Sequence, residues 1–155
     1  MTTADQILDT ATARYVTTST VEFLETLNDL AENAPMSDTW REWLDEQDET
    51  NRPKFAEMLT DFDVDLDLDA TDGNNPLDKW LENDVLEIKE TGHRSIGGQW
   101  ESDGFSVLIS FGGPNTWLEI TPRTNTVYTA WGFDTDRQPV DVDHIEQVLT
   151  DWFSL

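Results

Sequence analysis

The chain contains no cysteine, only three lysines and two histidines among 155 residues, and no uninterrupted apolar run of membrane-spanning length. Without cysteine there are neither disulfides nor thiolate metal sites, and a reducing cytoplasm is the expected setting. Residues 1–10 have neither the basic n-region nor the apolar h-region of a signal peptide, so a soluble protein of the cell interior is expected. The two histidines have no cysteine partner and no G-x-S-x-G serine to activate. His93 reads as a turn residue and His144 as part of a helix first turn. No catalytic residue and no cofactor are expected.

Basic residues are scarce in general. Nine Lys and Arg face 33 Asp and Glu, a net charge of −24. Solubility of a small domain needs a magnitude of only about 2–8, and the surplus repels itself in the compact state. Nucleic acid and anionic membranes, being polyanions, are unsuited as direct partners. A basic protein surface is suited.

What the sequence does hold is a β-rich stretch, 105–131, in which runs of Val, Ile, Thr, Phe, Tyr and Trp are cut by two turn clusters, 112–115 and 122–125. That is the pattern of an antiparallel meander. Phe105, Val107, Ile109 and Phe111 alternate onto one face, and Leu108 leaves the other partly apolar, so packing on both sides is expected. A further strand is expected over 85–91. A short one near 99–101 would lead into a hairpin turn at Asp103-Gly104. Residues 133–143 read as an acidic loop. A final helix beginning near Asp141 would bury Ile145, Val148, Leu149, Trp152 and Phe153.

The first half reads as helical. Residues 1–16 carry Ile7, Leu8, Ala11 and Tyr15 at helical spacing, and Ser19 with Glu22 forms a capping box for a second helix reaching Asn33, which Pro35 ends. Ser37 would cap a short helix holding Trp40, Trp43 and Leu44. Pro53 suits the first turn of the next helix, and Asn75-Pro76 opens another with Leu77, Trp80 and Leu81 inside. The expectation is one α+β domain, with a mainly helical acidic part over 1–84 and an antiparallel sheet plus C-terminal helix over 85–155.

Charge divides unevenly between these parts. Residues 1–84 hold 22 acids and five bases, residues 85–155 hold 11 and four, and residues 37–72 alone hold 13 and three. Within that segment, 63–73 reads DVDLDLDATDG. Val64, Leu66 and Leu68 alternate with Asp63, Asp65, Asp67 and Asp69, which in an extended strand would set four carboxylates in an outward row. An EF-hand loop needs glycine at its sixth position and a bidentate Glu at its twelfth, and no register provides both. Only loose cation binding is expected there. The Gly112-Gly113-Pro114 turn lacks the helix and lysine of a phosphate loop.

Alternate residues of a strand lie about 6.6–6.8 Å apart, commensurate with every second phosphate at about 3.4 Å each. This points to imitation of a nucleic-acid backbone. The expected partner-binding residues are Glu42, Asp45, Glu46, Asp48, Glu49, Asp63, Asp65, Asp67, Asp69 and Asp72, with Trp40 as an exposed aromatic contact and Trp100 as another. Trp43, Trp80, Trp117 and Trp152 are expected in the core.

In size, charge, lack of cysteine and clustered carboxylates the chain resembles the small acidic anti-CRISPR and antirestriction proteins of phages and plasmids that imitate DNA. The segment SFGGPNTWLEI is similar to small plasmid and phage proteins with a strand, a GGP turn and a second strand. The resemblance implies a non-enzymatic inhibitor in the host cytoplasm whose partner is a basic nucleic-acid-binding protein, either a CRISPR effector subunit or a restriction enzyme. Two other readings remain open: an immunity protein or antitoxin neutralising a basic toxin, and a salt-adapted interaction domain.

Overall fold

Threonine settles where the long first helix begins. In the computed structural model, which describes residues 12–34 and 38–153, α1 (Ala13–Glu32) starts at Thr12, whose hydroxyl accepts the Tyr15 N–H. The helix runs unbroken through the expected capping box at Ser19. The reason is local: the hydroxyls of Thr17, Thr20 and Thr26 bond to the carbonyls of Ala13, Val16 and Glu22, four residues back, so these side chains are satisfied inside a helix. The rest of the helix expected over 1–16, the Pro35 stop and the Ser37 cap lie outside the described residues. Thr39 caps α2 (Trp40–Asp45) instead, accepting from Glu42 N.

Next come α3 (Arg52–Asp61), with proline in its first turn, and α4 (Pro76–Asn83), capped by the Asn75 side chain. Strands β1 (Glu87–His93), β2 (Glu101–Ser110), β3 (Asn115–Ile120), β4 (Asn125–Trp131) and β5 (Asp134–Pro139) form an antiparallel meander in the order β1-β2-β3-β4-β5. Helix α5 (Asp143–Phe153) closes the chain, so the fold is α+β as expected.

One core draws on both halves of the sequence. Leu24, Leu27 and Leu30 of α1 meet Phe55 and Leu59 of α3, Leu77 and Trp80 of α4, Phe105, Leu118 and Val127 of the sheet, and Ile145 and Leu149 of α5. Helix α1 crosses the inner face of the sheet at β4 and β5. The Thr17 hydroxyl lies 2.8 Å from that of Thr129, and Ala13 N donates to Asp134 Oδ2 at 2.9 Å. Near its other end Asn28 Oδ1 accepts Ile145 N at 3.0 Å, satisfying an N-terminal donor of α5 from another helix. That bond stands where a cap by Asp141 was expected, and α5 begins two residues later, at Asp143.

Several expectations for the sheet need correction. Residues 133–143 are not all loop: 134–139 form edge strand β5, an Asp-rich sequence that strand preference alone disfavours. It is recruited by the two-residue turn at Gly132-Phe133, with Gly132 at φ 63°. The short strand and the Asp103-Gly104 turn are one continuous strand, β2. Gly104 is needed there for proximity, because a Cβ would collide with the carbonyl oxygen of Ile120 on β3. Finally, the register slips between Leu108 and Ser110, which leaves Ile109 half-buried and turns Phe111 out to solvent.

Among the described residues the helices pack against the face that carries Val107, Leu118 and Val127. Packing on the second face, inferred from Leu108, is not found among them. On the outer face a cross-strand row of Glu87, Leu108, Trp117, Tyr128 and Arg137 spans all five strands. Trp117 stacks on Tyr128 with centroids 5.4 Å apart and planes within 9°. Gly104→Ala is expected to lower stability by about 2–3 kcal/mol in denaturant titrations, since β2 and β3 must part to admit one methyl. An unchanged midpoint would show that the close approach carries no cost.

A candidate acidic interface

The alternating Asp-rich segment is not a strand, and the end of α3 explains why. Asp63 N donates to Thr60 O and Val64 N to Leu59 O, both at 3.0 Å, which is the paired closure of a helix C-terminus. That closure requires a left-handed residue, and Asp63 supplies it at φ 57°. Aspartate is among the few side chains that tolerate this region. Val64 and Leu59, brought together by the closure, are both buried. The first residue of the apparent strand is therefore a helix stop.

The remainder of the 62–75 loop is wound around Asn74, which is 7% exposed. Its side-chain Oδ1 accepts Asp65 N at 2.8 Å, and its Nδ2 donates to Asp65 O at 3.0 Å and Asp69 O at 2.7 Å. Its carbonyl accepts the indole Nε1 of Trp40 at 2.9 Å. The loop returns the favour to α2: Leu68 O and Leu66 O accept Trp40 N and Arg41 N, two of the donors a helix N-terminus leaves open. Trp40 is thus wholly buried, edge-on to Trp43, which in turn meets Phe55. The exposed contact expected of Trp40 does not exist, because its one polar atom is needed inside. Trp100 is exposed as expected. Trp80 is buried, Trp43 and Trp117 are half-buried, and Trp152 is largely exposed.

The acids divide into two groups. Some hold turns: Asp65 Oδ1 accepts Asp67 N, Asp69 Oδ1 accepts Thr71 N, and Asp48 accepts Thr50 N, Asn51 N and Asn51 Nδ2. Asp67 pairs with Arg41 at 2.9 Å. The side chains of Glu42, Asp45, Glu46, Glu49, Asp63 and Asp72 are exposed, and among the described residues no hydrogen bond or ion pair engages them. Without a strand there is no row at 6.6–6.8 Å spacing, and the register with phosphates falls away. What the fold brings together is a lobe of α2, α3 and the 62–75 loop.

The lobe's cations are spent internally. Arg41 holds Asp67. The Arg52 guanidinium closes the C-terminal end of α2, donating to the carbonyls of Leu44, Asp45 and Gln47 at 3.3, 3.1 and 2.6 Å. Lys54 sits 5.6 Å over the Phe55 ring. The neighbouring carboxylates are left uncompensated. Burial, then repulsion from Asp72 and Glu82, raises the Asp78 carboxyl above its ordinary 3.8. Burial also raises Asp29, against the pull of Lys54. The hydrogen bond and charge of Arg41 hold Asp67 low.

A second acidic region was not legible in the sequence. Glu25, Asp141, Asp143 and Glu146 line a cleft of about 530 Å³ between α1, the 121–124 turn and the start of α5, with Arg123 at its edge. Glu25 Oε2 accepts Asp141 N, and Glu146 Oε2 accepts Asn125 Nδ2. Glu25 lies about 120 positions from the other three acids, and no local pattern joins it to them. Among the described residues no three His, Asp or Glu side chains gather closely enough to hold a metal ion. Comparison with known protein families, curated proteins and solved structures finds no match to this chain.

Asp78 gives a pH-dependent test. Its proton is held to higher pH in the folded chain than in the unfolded one, so the carboxylate costs nothing in strong acid. The cost develops as pH rises from about 3.8 through the folded value. Asp78→Asn is expected to raise the melting temperature at pH 7 and to leave it nearly unchanged at pH 3. A gain of equal size at both values would show that the charge on this partly buried carboxylate is not the cause.

Proposed function

We propose that this chain is a non-enzymatic binding protein whose acidic lobe occupies a cationic, nucleic-acid-binding surface of another protein, such as a CRISPR effector or a restriction enzyme. The observation that carries the reading is the internal use of every lobe cation while exposed carboxylates stand unengaged beside them. Each uncompensated acid raises the cost of the folded state, and a basic partner offsets that cost. Lysines and arginines that grip phosphate accept carboxylates through the same charge-assisted bonds.

The uneven distribution of charge supports the same reading. The outer sheet face balances Glu87 and Glu119 against Lys89 and Arg137, so acid has not been spread over all sides, as general adaptation to salt would require. Attraction over distance would make association fast and sensitive to ionic strength. The array is two-dimensional and built from helix and turn residues, so it imitates the charge of a nucleic acid without copying the spacing of one strand.

The test uses Asp45, Glu46 and Glu49, whose side chains hold nothing together. Lysine near the end of α2 favours the helix, so the fold is expected to survive. The triple Lys variant should inhibit DNA cleavage by a sensitive effector or restriction enzyme about 100-fold less well than the parent. Full inhibition by that variant would remove the lobe from the interface. Inhibition of one cognate toxin and of no nuclease complex would assign the chain to the antitoxins.

A further inference from the structure

We infer that the end of the sheet carrying the β2–β3 and β4–β5 turns is a self-association surface, at which two copies of this chain meet. Antiparallel order places both turns at one end, on the order of 10 Å apart at two strand spacings. Leu86 leads into β1 at the same end, its N–H donating to Leu108 O at 3.0 Å. There the chain displays Leu86, Phe111, Trp131 and Phe133, with exposures of 59, 75, 37 and 109%. Scaled by the area such side chains carry, this is roughly 500 Å² of apolar surface, in the upper part of what a soluble monomer leaves uncovered.

Charge identifies the occupant. Residues 104–118 and 124–133 contain no Asp, Glu, Lys, Arg or His, in a chain that is 27% charged. The acids flanking this end are Asp134, engaged by Ala13 N, Glu87, which faces Lys89 at 3.6 Å, and Asp84. A basic partner is drawn to the denser acids of the lobe and has little to grip here, while a polyanion is repelled by the molecule as a whole. The occupant has to be apolar and uncharged where it touches, and the same end of a second copy meets both conditions. Contact of two such ends buries on the order of 1,000 Å² in total, at the low limit for a specific complex, so the dimer is weak and reversible.

The remaining charge of the two copies opposes this contact, so salt strengthens it. That is the opposite sign from binding a basic partner, and it separates this inference from the acidic-lobe reading, which stands or falls independently. Sedimentation equilibrium of the full chain is expected to show a concentration-dependent dimer. Its dissociation constant should fall about tenfold between about 0.05 M and about 1 M sodium chloride. Phe111→Ser combined with Phe133→Ser alters two exposed side chains and should give a monomer with an unchanged circular dichroism spectrum. A 17.7 kDa monomer at every concentration and salt, or a dimer indifferent to the double substitution, would overturn the inference. So would a monomer that binds phosphatidylcholine vesicles, which would assign the apolar end to a membrane surface.

Discussion

The amide of Asn74 is the constraint on which the acidic half depends. A buried primary amide must find partners for one acceptor and two donors, and this one finds them all in the backbone of Asp65 and Asp69. Its own carbonyl anchors the Trp40 indole, and the loop it gathers caps α2 through Leu66 and Leu68. Loop, helix and core tryptophan are consequently a single unit. Each link joins segments about 25–35 residues apart or, as at Asp65, closes a turn. A substitution that left these groups dry and unsatisfied would cost several times a typical net hydrogen bond.

That unit sets the electrostatic character of the lobe. Aspartate recurs in 62–75 partly for a mechanical reason, since Asp63 takes the left-handed stop and Asp65 and Asp69 hold turns. Mechanical work accounts for some of the acids and leaves others, above all Glu42, Asp45, Glu46, Glu49 and Asp72. The three local cations serve a carboxylate, a helix end and an aromatic ring, so they screen the array little. The outer face of the sheet is different in kind, with Glu87 and Glu119 set against Lys89 and Arg137, stacked aromatics and an apolar end. On the two proposals made above, these surfaces would respond to salt with opposite sign.

Much of the fold was legible from periodicity and turn chemistry. The meander, α3, α4 and α5 follow from apolar spacing, Pro53, Asn75-Pro76 and the turn clusters. What escaped was decided partly by contacts distant in sequence and partly by local closures that the apolar pattern does not encode. Alternation over 63–69 satisfies the strand pattern, but the Asn74 amide and the end of α3 claim its backbone. Asp103-Gly104 has the composition of a hairpin turn, but its glycine is needed for closeness to Ile120. Trp40 has polar neighbours in sequence and apolar ones in space. Asn74 itself, a polar residue in a polar stretch, gave no signal, although a lone Asn just before the Asn75 cap and after Gly73 is where a loop pin could be sought. The cleft at Glu25, Asp141, Asp143 and Glu146 needed the tertiary fold to exist at all.

The central claim is that the unengaged carboxylates of the lobe serve a partner, and that the fold neither needs them nor needs concentrated salt to tolerate them. The most direct measurement is a thermal melt of the full chain in low salt and again in molar salt. A cooperative transition already present at low salt, rising only by the modest amount expected from screening, is the predicted result. A chain that is unfolded at low salt and folds only in molar salt would contradict the account and make the acidity an adaptation to brine.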